Sequence, residues 1–181
     1  MKKNNKSLAP FYKSAATAAC IALCVTLPTA FHMIPNGGTL FSPMHFPVLL
    51  CGIICGPQYG LLCGILGPLL SSLLTYSPPT AYLPRMMVEL IVYGLMSGVM
   101  MRLFHTGRQT FDICVSLIIA MLSGRILAGI ANALLFMPGE YSLKIWATAY
   151  FVSCFPAIII QLFLIPILYL ALQKAGLVPK R

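Results

Sequence analysis

From Ser14 to Pro84 the chain carries no Lys, Arg, Asp or Glu, and its apolar runs break only where Pro, Asn, Gly and Ser gather. A bilayer core about 30 Å thick takes roughly 20 helical residues, so this stretch predicts three membrane passes. The first covers about 14–33. Pro35-Asn36-Gly37-Gly38 ends it, because Asn and Gly accept positive φ and Pro cannot continue the helical ladder. The second, about 43–56, is short, with Pro43 and Pro47 near its start, and reads as a tilted or re-entrant piece. Gly56-Pro57 makes a tight hairpin into the third, about 58–76, which ends at the loop Ser77-Pro78-Pro79-Thr80. Later apolar runs predict passes over about 84–104, 112–135 and 145–172. The expected fold is an all-α membrane protein, a six-helix bundle forming one integral membrane domain over residues 1–181 with both termini on one side.

Composition agrees with a lipid solvent: 59% of the 181 residues are hydrophobic and 8% charged, whereas a soluble domain is about a quarter charged. Twelve Lys and Arg against three Asp and Glu give a net charge of +9. Mapped onto the passes, Lys2, Lys3, Lys6, Lys13, Arg102, Arg108, Lys174, Lys180 and Arg181 fall on the side of the termini, and only Lys144 and Arg85 fall opposite. That asymmetry makes the termini cytoplasmic. Topology therefore accounts for the positive excess, and no basic face remains to carry a nucleic-acid footprint. The first segment is expected to be retained, since cleaving it as a signal peptide would leave five passes and send the basic ends to opposite sides.

The polar exceptions carry the functional information. Arg85 and Glu89 stand at i and i+4 on one face near the start of the fourth pass. Arg125 lies within the fifth, nine residues before Leu134, which is roughly 13 Å at 1.5 Å per residue. An unpaired charge at such depth costs at least about 2.5–3.5 kcal/mol. Two readings follow: Glu89 and Arg125 pair structurally, or one or both contact a polar ligand entering from outside, together with Tyr93 on the Glu89 face and Asn132 two turns beyond Arg125. Gln161 is a weaker candidate, and Tyr76, Tyr82, Tyr141 and Trp146 read first as bilayer anchors. His32 and His45 flank the first outer loop.

Small residues recur four apart: Ala15 with Ala19, Ala18 with Ala22, Gly52 with Gly56, Gly60 with Gly64, and Gly94 with Gly98. Such rows let helix backbones approach closely in lipid. The glycine rows are expected to pack inside the bundle, whereas the alanine rows fit either internal packing or a partner subunit. The seven cysteines, Cys20, Cys24, Cys51, Cys55, Cys63, Cys114 and Cys154, lack CxxC or zinc spacing and read as small packing residues.

No P-loop, HExxH or GxSxG motif occurs, and three carboxylates are too few for an acid/base pair or a proton relay. Neither catalysis, a resident metal nor another cofactor is expected. What remains is a binding subunit that depends on another protein for energy, with a stand-alone secondary carrier or a non-transport membrane scaffold as alternatives.

The run Phe41-Ser42-Pro43-Met44-His45-Phe46-Pro47-Val48-Leu49-Leu50-Cys51-Gly52, the hairpin Gly56-Pro57-Gln58-Tyr59-Gly60, the run Gly67-Pro68-Leu69-Leu70-Ser71-Ser72-Leu73-Leu74, and Glu89 followed by Tyr93-Gly94 and Ser97-Gly98 resemble the substrate-binding S components of energy-coupling factor (ECF) transporters. The resemblance implies a subunit of the cell membrane that binds a water-soluble vitamin, precursor or metal ion from outside. It also implies a membrane coupling subunit and two ATPase subunits as partners, with an Ala-rich face of the first helix as the contact. Ala15, Ala18, Ala19 and Ala22 match that face. The ligand is expected beneath the loops at about 34–42 and 76–83, among Glu89, Tyr93, Arg125, Asn132 and His45. Metal-transporting relatives carry a His-bearing N-terminus that Met1-Lys2-Lys3-Asn4 lacks, so the resemblance favours an organic solute such as pantothenate, a B6 form or a cobalamin-precursor nucleoside.

Overall fold

A computed structural model describes residues 10–31, 34 and 37–178, apart from the side chain of Thr39. His32, the Pro35-Asn36 turn and the basic residues Lys2, Lys3, Lys6, Lys180 and Arg181 lie outside the described residues. Among those described, every regular element is helical: α1 (Pro10–Phe31), α2 (Gly37–Phe41), α3 (His45–Cys55), α4 (Pro57–Thr75), α5 (Leu83–Leu103), α6 (Gln109–Ala131), α7 (Leu143–Ala147) and α8 (Phe155–Lys174). A π-helical segment, Asn132–Phe136, extends α6, and another, Thr148–Val152, extends α7.

Five of these helices are long and apolar enough to cross a membrane: α1, α4, α5, α6 with its extension, and α8. The second expected pass is the 11-residue α3, about 16 Å long and so roughly half a hydrocarbon core. The sixth is divided. The short α7 and its extension precede a break at Ser153-Cys154, and α8 starts afresh with Pro at its first turn. Pro156 fits the break, because it has no N–H to donate back to the preceding turn, whereas it is tolerated in the first turn of a new helix.

The short α3 is the centre of the bundle. Nine of its residues are buried, and α1, α4, α5 and α8 pack around it. Glycines set that packing. A Cβ on Gly52 would fall on Ser97 and the Gly94 carbonyl, one on Gly94 on the Gly60 backbone, and one on Gly98 on the backbone of Gly56-Pro57. The helices α3, α4 and α5 therefore meet backbone to backbone, as the glycine rows predicted. Gly56, at φ 99°, makes the turn between α3 and α4. Cys20, Cys24, Cys51, Cys55 and Cys63 are buried in the α1, α3 and α4 contacts, with Cys51 Sγ 3.6 Å from both Thr17 Oγ1 and the Tyr59 carbonyl oxygen.

The two ends of the bundle differ. At one end Lys13 Nζ lies 6.0 Å from the centroid of the Tyr59 ring, just beyond the α3–α4 turn, and Arg102 sits against Gly56. At the other end α2 meets the start of α8, with Ser42 Oγ 4.0 Å from Cys154 Sγ. There the loop after α4 is folded back, because Ser71 Oγ donates to the Ser77 carbonyl at 2.6 Å and Ser72 Oγ to the Pro78 carbonyl at 2.8 Å. The Ser77–Pro78 bond is cis.

Candidate functional site

A cavity of about 660 Å³ opens at this second end, roofed by the loop after α4 and by α2, and reaching His45, Glu89, Arg125 and Asn132. That volume suits a small organic molecule. The first turn of α3 stands at its floor because α3 begins only at His45.

The deep polar groups form one chain across three helices. Tyr93 Oη donates to Glu89 Oε1 at 2.7 Å, one turn away on α5. Arg125 of α6 donates from Nε to Tyr93 Oη at 3.0 Å and stands 3.9 Å from Glu89 Oε1. On the other side His45 Nε2 lies 3.4 Å from Glu89 Oε2, with the His45 and Tyr93 rings edge to face at 5.3 Å. All four side chains are buried. Each charge thus has a partner, which is the condition for keeping it away from water.

Gly124 makes this possible on the α6 side, since a Cβ there would occupy the Tyr93 ring. Above Arg125, the Trp146 indole donates to its carbonyl at 3.0 Å, and the guanidinium lies 5.3 Å from the Phe151 ring centroid. Asn132 donates from Nδ2 to Tyr150 Oη at 3.0 Å. Three buried atoms here have no hydrogen-bond partner among the described residues, His45 Nδ1, Asn132 Oδ1 and Tyr141 Oη. They are groups that a polar ligand or water would satisfy. Burial raises the pKa of Tyr141, in the loop beyond α6, so its phenol at the cavity wall is a neutral donor.

Of the expected ligand residues, His45, Glu89, Arg125 and Asn132 line the cavity, whereas Tyr93 is fully buried behind it and joins Glu89 to Arg125. Arg85 lines the cavity one turn from Glu89 and makes no ion pair with it. Gln161 is buried elsewhere, on α8. Trp146, expected as a bilayer anchor, turns inward onto Arg125 and Gly129. Tyr150 and Phe151 were not legible in the sequence, because one apolar run covers α7, its π-helical extension and α8 with no periodic mark of where they turn. Ala15, Ala18, Ala19 and Ala22 are all exposed on α1, opposite its buried Thr17, Cys20, Cys24 and Pro28.

Residues 13–169 match a family model described as ECF transporter, substrate-specific component. No match was found among curated proteins or among solved structures.

Proposed function

The chain belongs to the substrate-specific components of ECF transporters, and on that premise we propose that the cavity at the α2–α8 end captures a water-soluble vitamin or vitamin precursor. As a member of that family it is a multi-pass membrane protein and the substrate-binding subunit of an importer whose coupling and ATPase subunits supply the energy. The observation that carries the ligand reading is the polar lining of the cavity. In an otherwise apolar chain, buried charged and amide groups from α3, α5 and α6 converge on one small space, and intramembrane ionisable residues are costly unless they serve a purpose.

In this reading the cavity faces outward. Lys13, Arg102, Arg108 and Lys174 stand at the helix ends remote from it and face the cytoplasm, in keeping with the positive-inside rule. His45, Glu89, Arg125 and Asn132 are the ligand-facing residues, with Tyr93 holding two of them in place. The exposed alanine face of α1 receives the coupling subunit, because four small side chains on one side of a helix let a partner helix approach closely. The setting is a plasma membrane, the bacterial inner membrane.

The test is to purify the protein without added ligand, identify any co-purifying small molecule, and titrate a panel of water-soluble vitamins and precursors by calorimetry. Saturable binding of one member, weakened by Asn132→Ala, is the expected result. No binding by any member would overturn the reading.

A further inference from the structure

The charge balance of the cavity says more about its occupant. Counting His45 as neutral, three charged side chains line it, Arg85, Glu89 and Arg125. Glu89 is engaged within the protein by Tyr93, His45 and Arg125, and Arg125 by Tyr93 and Glu89. Arg85 differs. Among the described residues no carboxylate lies within 4.0 Å of it, although Glu89 is one turn away. Of the chain's other two carboxylates, Asp112 is tied to Thr106 at the opposite end of the bundle and Glu140 is exposed in the loop beyond α6.

What surrounds Arg85 leaves its donors available. Its Nη1 lies 3.4 Å from the sulfur of Met137, a weak acceptor. The guanidinium lies 5.9 Å from the Tyr82 ring centroid and 6.0 Å from that of Phe136. Aromatic faces attract the cation without taking up its in-plane N–H groups. The side chain is half-buried at the cavity mouth, so the space holds one positive charge in excess of what the protein itself neutralises.

Resting on the reading of this cavity as the ligand site, we propose that the ligand is a monoanionic carboxylate and that Arg85 is the residue that recognises its charge. Glu89, although it faces the cavity, has its charge met by the protein's own Tyr93, His45 and Arg125. A guanidinium fork matches a carboxylate in two parallel charge-assisted bonds, and the cavity supplies Asn132 Oδ1, His45 Nδ1 and the Tyr141 phenol for an uncharged polar remainder. The same fork would also suit the phosphate of a lipid headgroup, so the test separates the two sources.

Matched pairs of an acid and its uncharged counterpart serve as probes: pantothenate with panthenol, nicotinate with nicotinamide, and biotin with biotinamide. Each is titrated by calorimetry against the full chain in maltoside detergent, which has no phosphate, and in phosphatidylcholine nanodiscs. The acid of at least one pair should bind, with its neutral counterpart at least about tenfold weaker, as expected for loss of bonds to a charged group. Arg85→Gln should weaken the acid by about 10–100-fold and leave the neutral member within about twofold, and Arg85→Lys should recover part of the loss. A neutral member binding as well as its acid, or equal losses for both in Arg85→Gln, would overturn the charge assignment while leaving a ligand site in place. An Arg85→Gln effect confined to the nanodiscs would assign the guanidinium to lipid phosphate and overturn it too. Binding by no probe and no vitamin overturns both readings. The acid-against-neutral comparison on the unaltered protein stands even if the variants do not fold.

Discussion

Arg125 Nε donates to the Tyr93 hydroxyl at 3.0 Å, closer than the 3.9 Å that separates it from Glu89 Oε1, so a phenol links the two buried charges. The same hydroxyl donates its one proton to Glu89 at 2.7 Å. Tyr93 thereby satisfies a carboxylate and a guanidinium at once, and fixes α6 against α5 beneath the cavity.

Removing the hydroxyl should expose this dual role. Tyr93→Phe keeps the ring against Gly124 but leaves Glu89 Oε1 and Arg125 Nε without that partner. A loss of at least about 2 kcal/mol is expected for charged groups left short of a bond. Chemical unfolding in detergent, with far-UV circular dichroism as the signal, checks it; an unchanged midpoint would contradict the assigned geometry.

The charges themselves should prove coupled. Arg125→Gln leaves Glu89 buried with a weakened set of partners, and losses of about 3–5 kcal/mol are typical when one partner of a buried pair is removed. Glu89→Gln in the same background should restore part of that loss. A double-mutant cycle on unfolding free energies measures the coupling; strict additivity of the two changes would show that the residues act apart.

A third outcome concerns the glycine contacts. Gly94→Ala puts a methyl group on the backbone of Gly60, where no flexible side chain can give way. Overpacking of a tight core costs about 1–3 kcal/mol and more when the backbone must move. The variant should lose monodisperse protein on size-exclusion chromatography and unfold at lower temperature than the parent.

The exposed alanines make a separate test. Ala19→Trp adds a large side chain to a face of α1 that nothing among the described residues covers. The protein should purify and unfold like the parent, yet fail to co-purify with a coupling subunit when the two are expressed together. Retained association would move the contact to another face.

Much of this arrangement was readable from the chain alone, for identifiable reasons. The spans of α1, α4, α5 and α6 follow from apolar runs that end at Pro, Gly or charge, and the structure places them within a few residues. The glycine contacts were legible because fourfold spacing has a direct geometric meaning on a helix. Glu89 and Arg125 stood out because each is a charge where charge is costly. Tyr93 is legible as a neighbour of Glu89 one turn on, but its place behind the cavity depends on Gly124, and no pattern marks a ring that fills the space of a missing Cβ on another helix. The depth of His45 is not legible in the sequence, which places it only beside the first outer loop, because that depth depends on how short α3 is. Trp146 and Tyr150 reach the site through α7 and its π-helical extension, whose uniformly apolar sequence hides the turn.

The half-length of α3 also sets how much space is left above it. In a bundle whose central helix ran the full depth, the level now occupied by the cavity would be solid side chain. Here the helix stops at His45, and the volume above it is, in effect, the missing upper half of a core. If the cavity is the ligand site, capacity and selectivity are set at separate heights along one axis. The Gly52, Gly60, Gly94 and Gly98 contacts below fix the frame, and in the proposed reading the few residues above His45 would choose the guest. Extending α3 by a single turn would act as a plug, shrinking the chamber while leaving the glycine frame beneath it untouched.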